Sequence, residues 1–194
     1  TSRKKLIQKL RPEAIPETSR RYPYINFSVG RPCGGKILTV ENVSYSDQGV
    51  QLLTDVSFTL EHHDKVAVIG ENSLSKSALL DILAGKITPD TGSITWGETI
   101  EKEYFPKDHA HLFTTNSPLL EWLAQFAETV DNQELRGLLG RMLFSGDDVF
   151  KKVGVLSGGE KARAMFSKLM LSKANVLLFD EPTDHLDLES ISSL

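Results

Sequence analysis

Val155-Leu156-Ser157-Gly158-Gly159-Glu160-Lys161, followed about twenty residues later by Val176-Leu177-Leu178-Phe179-Asp180-Glu181-Pro182, decides how this chain is read. The first stretch puts a serine and two bare glycine backbones where a helix opens. Such an end carries unpaired N–H groups and a partial positive charge, which suits a phosphate. The second stretch is a hydrophobic strand ending in two carboxylates. One is placed to organise magnesium and the next to act on water. Either half alone is commonplace, since glycine pairs make turns and acidic pairs sit in solvent. The two together, in this order and spacing, point to nucleotide chemistry.

Working backwards, Gly70-Glu71-Asn72-Ser73-Leu74-Ser75-Lys76-Ser77 lies between an apolar run and a helical pattern. That is the setting of a phosphate-binding loop of the form G-x-x-x-x-G-K-[ST]. Lys76 is the candidate for the β- and γ-phosphates and Ser77 for Mg²⁺. Ser75 replaces the second glycine. If the backbone there must be left-handed, its Cβ adds roughly 1–2 kcal/mol of strain. Ala78 lacks a hydroxyl for a phosphate.

The remaining pattern is α/β. Residues 65–69 read as a buried strand, 77–83 as a helix, and 24–29, 37–43, 52–60, 93–96 and 103–105 as strands. The early strands suggest an antiparallel subdomain on a mostly parallel core. Residues 117–143 have helical period, with a helical insert expected over about 117–155. Further helices are expected over 157–172 and from Leu188. Pro12, Pro16 and Pro23 break residues 11–23 into a linker behind a helix end at 1–10.

The chain has 194 residues, 40% of them hydrophobic and 25% charged, enough for a sizeable core. Its single cysteine, Cys33, excludes an internal disulfide or a cysteine-built metal site and fits a reducing, cytoplasmic setting. No apolar run nears the roughly 20 residues of a membrane span. His62, His63, His109 and His111 read as solvated loop residues. Seven basic residues against two acidic ones give residues 1–21 a net charge of +5, on a chain of net −4. A basic arm on an acidic domain suits a polyanionic partner.

With these motifs placed, the chain resembles the ABC-F family of soluble twin-module ATPases that act on ribosomes, and within it the second nucleotide-binding module. The wording around Leu139-Gly140-Arg141-Met142-Leu143-Phe144 is also similar. The resemblance implies a P-loop ABC-type domain over residues 24–194, incomplete at its C-terminus, preceded at 1–23 by the end of the inter-module segment. Because the chain starts at Thr1, it is read as a piece of a longer protein.

What the resemblance implies residue by residue is as follows. Tyr45 stacks on adenine, with a core tyrosine as the plainer alternative. Gly70, Glu71, Asn72, Ser73, Leu74, Ser75, Lys76, Ser77 and Ala78 form the phosphate loop. Lys107 falls where the family has a glutamine. Leu156, Ser157, Gly158, Gly159 and Glu160 form the signature, which completes a site on the other module. Asp180 organises magnesium with Ser77, and Glu181 with Lys76 is catalytic. ATP and Mg²⁺ are the implied ligands; the second module, the ribosome and tRNA are the implied partners. The isolated piece is expected to be inactive. Two alternatives stay open: an ATPase subunit of a transporter, and a non-catalytic module with a degenerate phosphate loop.

Overall fold

The computed structural model describes residues 21–127 and 130–194. The expected helix end at 1–10 lies outside them. Strands β1 (Lys36–Asp47) and β2 (Val50–Glu61) form an antiparallel hairpin whose two-residue turn, Gln48-Gly49, has positive φ at both positions. That turn handedness matches the strand twist. Strand β3 (Thr91–Trp96) adds to the other side of β1, giving the order β2-β1-β3. The expected antiparallel subdomain is therefore present, built from later residues than the pattern suggested.

Helix α1 (Ser73–Ala84) lies on this sheet, and Leu79, Leu80, Ile82 and Leu83 meet Leu38, Val40, Val43 and Leu53 in one core. A second core is mainly helical. It gathers α2 (Leu119–Ala124), α3 (Asn132–Arg141) and α4 (Gly158–Ser172) around Trp122, Phe113, Phe166, Leu139 and Met142. Between the two cores runs a parallel pair, β4 (Lys102–Phe105) and β5 (Val176–Phe179). Strand periodicity sends Leu178 into the sheet core, and Leu177 and Phe179 toward the helical core. A short helix, α5 (Leu188–Ile191), follows.

Two expected strands do not form. Residues 24–29 have no regular secondary structure and pair with no strand among the described residues. The Tyr24 N–H donates to the carbonyl of Arg141 at 2.9 Å, and Ile25 and Phe27 face the helical core. The alternation was real, but alternation reports only a half-buried extended segment, and the partner here is helical. Residues 65–69 likewise have no regular secondary structure and no strand partner among the described residues, and they are exposed, Val66 at 61% and Ile69 at 91%. A run of β-branched residues favours extended backbone. A buried strand also needs a neighbour, and none among the described residues lies alongside. Among the described residues the parallel pairing is consequently a separate two-stranded sheet, β4–β5.

The insert is helical as expected, though broken into α2, α3 and short 3-10 turns at Gly146–Phe150 and Val153–Val155. His109 is not solvated. It is buried between Phe105 and Phe113, and its Nδ1 lies 3.3 Å from the carbonyl of Pro106. Burial lowers its pKa, so the ring is held neutral.

Candidate functional site

The site sits at the C-terminal end of β4 and β5, where the strand ends and the first turn of α1 converge. Asp180 follows β5 directly, its N–H donating to the carbonyl of Phe105 at 2.9 Å, and it is only 2% exposed. Glu181 comes next with φ +46, a left-handed conformation that costs an ordinary residue energy.

Three donors meet on the Glu181 carboxylate. Lys107 Nζ lies 2.6 Å from Oε2, Lys76 Nζ lies 3.5 Å from Oε1, and the Ser73 hydroxyl donates to Oε1 at 2.9 Å. Lys107 also donates to Ser73 Oγ at 2.9 Å. The hydrogen bonds from Lys107 and then Ser73, with the lysine charges behind them, pull the Glu181 pKa down to about 2. The same pairing raises the Lys107 pKa. Glu181 is therefore ionised, and two ammonium groups occupy its lone pairs.

A cleft of about 450 Å³ opens beside this cluster, lined by Ser77, Asp81, Tyr104, Lys107 and Asp180 among others. Ser77 and Asp180, the pair expected to hold magnesium, line the same cleft. Both offer the oxygen atoms a hard cation takes, so the residues present fit the ion. Tyr104 was not singled out from sequence. Burial, then the charges of Asp81 and Asp180 and its hydrogen bonds to both, raise its pKa far above the ordinary range. The phenol stays protonated beside the two carboxylates with which it shares the cleft. Only the tertiary contact between β4 and α1 reveals this; no local signal carries it.

The phosphate loop departs from expectation. Helix α1 begins at Ser73, four residues earlier than the pattern suggested, and Asn72 caps it by accepting from the N–H groups of Leu74 at 2.9 Å and Ser75 at 3.4 Å. Ser75 is helical and is not among the left-handed residues, so the strain expected there does not arise. Gly70, Glu71, Asn72 and Leu74 are exposed and Ala78 is buried in the core. Of the predicted loop, Ser73, Lys76 and Ser77 reach the site. An asparagine before Ser-Leu-Ser is an N-cap signal that was readable in the sequence.

The signature stands apart from this cluster. Ser157 caps α4, accepting from the Glu160 N–H at 3.3 Å, and its own N–H donates to Glu160 Oε2 at 2.8 Å. This is a capping box. Glu160 also meets Lys151 at 3.2 Å. Leu156 is buried beneath the turn. The two glycines serve a close approach: a Cβ on Gly158 would press at 3.3 Å on the side chain of His185, and one on Gly159 would lie 3.1 Å from the His185 carbonyl. Tyr45 is half-buried on β1, opposite Leu53, packed at the edge of the sheet core.

Comparison with known proteins follows this geometry. The family model described as ABC transporter matches residues 53–184. An uncharacterized ABC transporter ATP-binding protein of Bacillus subtilis, YkpA, is 48% identical over the whole of this chain, which covers 36% of that protein. ABC transporter F family member 5 of Arabidopsis thaliana is 33% identical over 98% of the chain and 28% of its own length. The energy-dependent translational throttle protein EttA of Haemophilus influenzae is 36% identical over 85% of the chain and 30% of its own length. The chain thus spans about a third of the length of these relatives. No helix among the described residues is long and apolar enough to cross a membrane. The fold is that of a P-loop ABC nucleotide-binding domain, and the chain belongs to the ABC transporter family as one of its ATP-binding domains.

Proposed function

We propose that this chain is the second ATP-binding and ATP-hydrolysing module of an ABC-F protein, working in the cytoplasm and coupled to ribosome and tRNA engagement. The observation that carries the catalytic part is the convergence of Lys76 and Glu181 beside Asp180 and Ser77 at one strand end. Bound with magnesium, ATP supplies the phosphoryl group open to attack by water. Lys76 would neutralise phosphate charge, and Ser77 and Asp180 would hold the ion. Glu181 orients the water and takes its proton. Tyr45 offers its ring to adenine. The signature residues Leu156, Ser157, Gly158, Gly159 and Glu160 serve the other module's site. The translational part is supported by similarity to an F family member and to a translational throttle protein. The basic residues Arg3, Lys4, Lys5, Lys9 and Arg11 suit contact with RNA.

The test uses the full polypeptide that carries this chain. Glu181→Gln is expected to cut steady-state ATP turnover at this site by about a hundredfold or more. Neutralising the five basic residues is expected to weaken ribosome co-sedimentation and flatten its salt dependence. Unchanged turnover and unchanged co-sedimentation would refute the two halves separately. The family description itself favours a second reading, a transporter ATPase subunit. A dedicated membrane partner recovered with the full protein would establish that instead.

A further inference from the structure

We propose that Ser73, Lys76 and Lys107 form an anion pocket that Glu181 plugs with its own carboxylate, so that the terminal phosphate of a nucleotide binds by displacing it. This rests on the nucleotide-site reading above. It adds a phosphate-binding role for Lys107 and a self-competing gate on the catalytic carboxylate.

The donors come from two separate parts of the chain. Ser73 and Lys76 lie on the first turn of α1, and Lys107 follows β4. They surround both oxygens of one carboxylate: Ser73 at 2.9 Å and Lys76 at 3.5 Å on Oε1, Lys107 at 2.6 Å on Oε2. Ser73 accepts from Lys107 and donates to Glu181, so it links one ammonium group to the anion. Two cations and a hydroxyl around one anion make a better fit for a phosphate, with more charge and three oxygens, than for the single charge of Glu181. While plugged, Glu181 has both oxygens engaged and is not free to take a proton from water. Arrival of the phosphate removes those partners and exposes the carboxylate beside it.

The pocket depends on the Ser73 hydroxyl and on the charge of Lys107, which falls where the family has a glutamine. A glycine at 73 has no hydroxyl to join the cluster, and a glutamine at 107 has no charge.

Binding of magnesium AMP-PNP and magnesium ADP to the full polypeptide tests this. Any second phosphate loop is disabled by replacing its lysine with alanine, and affinities are measured by calorimetry. Glu181→Gln and Glu181→Ala remove the plug, and each is expected to tighten AMP-PNP about three- to tenfold, the scale of one or two partly exposed ion pairs. ADP, which lacks the terminal phosphate, is expected to change less than about twofold by the same reasoning. In a Lys107→Gln background the gain from Glu181→Gln is expected to shrink, because the plug has lost its shortest contact. If Lys76→Ala abolishes AMP-PNP binding but both Glu181 variants leave its affinity within about twofold of wild type, the plug is overturned and the nucleotide site stands. If Lys76→Ala leaves AMP-PNP binding unchanged, the nucleotide-site reading fails and takes the plug with it. Thermal melts of each variant confirm that the compared proteins are folded.

Discussion

Ser157 has two candidate jobs, and replacing it by glycine and by alanine separates them. In the structure its hydroxyl caps α4 by accepting from the Glu160 N–H at 3.3 Å. The reciprocal half of the box, the Ser157 N–H to Glu160 at 2.8 Å, needs no side chain on residue 157 and survives either substitution. Lys151 continues to hold Glu160 at 3.2 Å. The lost bond is long, so Ser157→Ala is expected to cost about 0.5–1 kcal/mol, the lower end of the cap range, and Ser157→Gly a few tenths. For a domain of this size that is a fall in Tm of roughly 1–4 °C for alanine and about 1 °C for glycine. If the hydroxyl also donates to a phosphate held by the other module, both variants lose a charge-assisted hydrogen bond of about 1.5–3 kcal/mol. Turnover of the full protein then falls about ten- to a hundredfold in both, out of proportion to the melts. The assay is steady-state ATP hydrolysis beside differential scanning calorimetry on the same preparations. If Ser157→Gly keeps turnover within about twofold, the signature is a helix cap and no more, and the trans-site assignment is refuted.

Three further outcomes are expected. Ser157→Arg, which blocks the signature, is expected to lower turnover of the full protein more than Lys76→Ala does, because this chain's own phosphate loop begins as a capped helix; the reverse order in steady-state ATPase would make this loop the main catalytic site. Gly92→Ala places a Cβ against the carbonyl oxygens of Glu41 and Asn42 at φ +88, so a melt is expected to show a loss of about 2–5 kcal/mol. Asp148, hydrogen-bonded by Lys151, and Glu160, where the Ser157 and Lys151 hydrogen bonds outweigh burial, both have lowered pKa values. Carboxylates lowered in the folded state stabilise above their unfolded pKa and lose that contribution as pH falls through the folded value. The Tm gap between wild type and Lys151→Gln is therefore expected to be present at pH 7 and to close as pH falls below about 4.

The sequence made the motif-bearing half of the site legible because its logic is local. Ser157 and Glu160 are three residues apart, and Asp180-Glu181 must follow a strand that its own composition announces. Lys107 was recognised as a departure, but its contact with Glu181 spans 74 positions of chain and appears only once β4 and β5 pair. Tyr104 carries no local signal beyond its strand, since its setting depends on Asp81 arriving from α1. Residues 65–69 misled for a related reason. Composition specifies extended backbone, whereas sheet membership is decided by whichever segment comes to lie alongside. At Asn72 two local signals compete: the glycine-to-lysine spacing points to a loop, while the capping chemistry favours an early helix, and the cap prevails.

Strand β5 is four residues long and is the common wall of two hydrophobic compartments, with Leu178 on one side and Leu177 and Phe179 on the other. A change of volume in either compartment presses on the same short segment, and that segment ends in Asp180 and Glu181. The sheet half and the helical half are therefore not free to drift independently. A substitution tolerated for packing in one must be answered in the other if the two carboxylates are to keep their places. Packing around Leu38 in one compartment and Trp122 in the other is thereby coupled to the position of the same strand end.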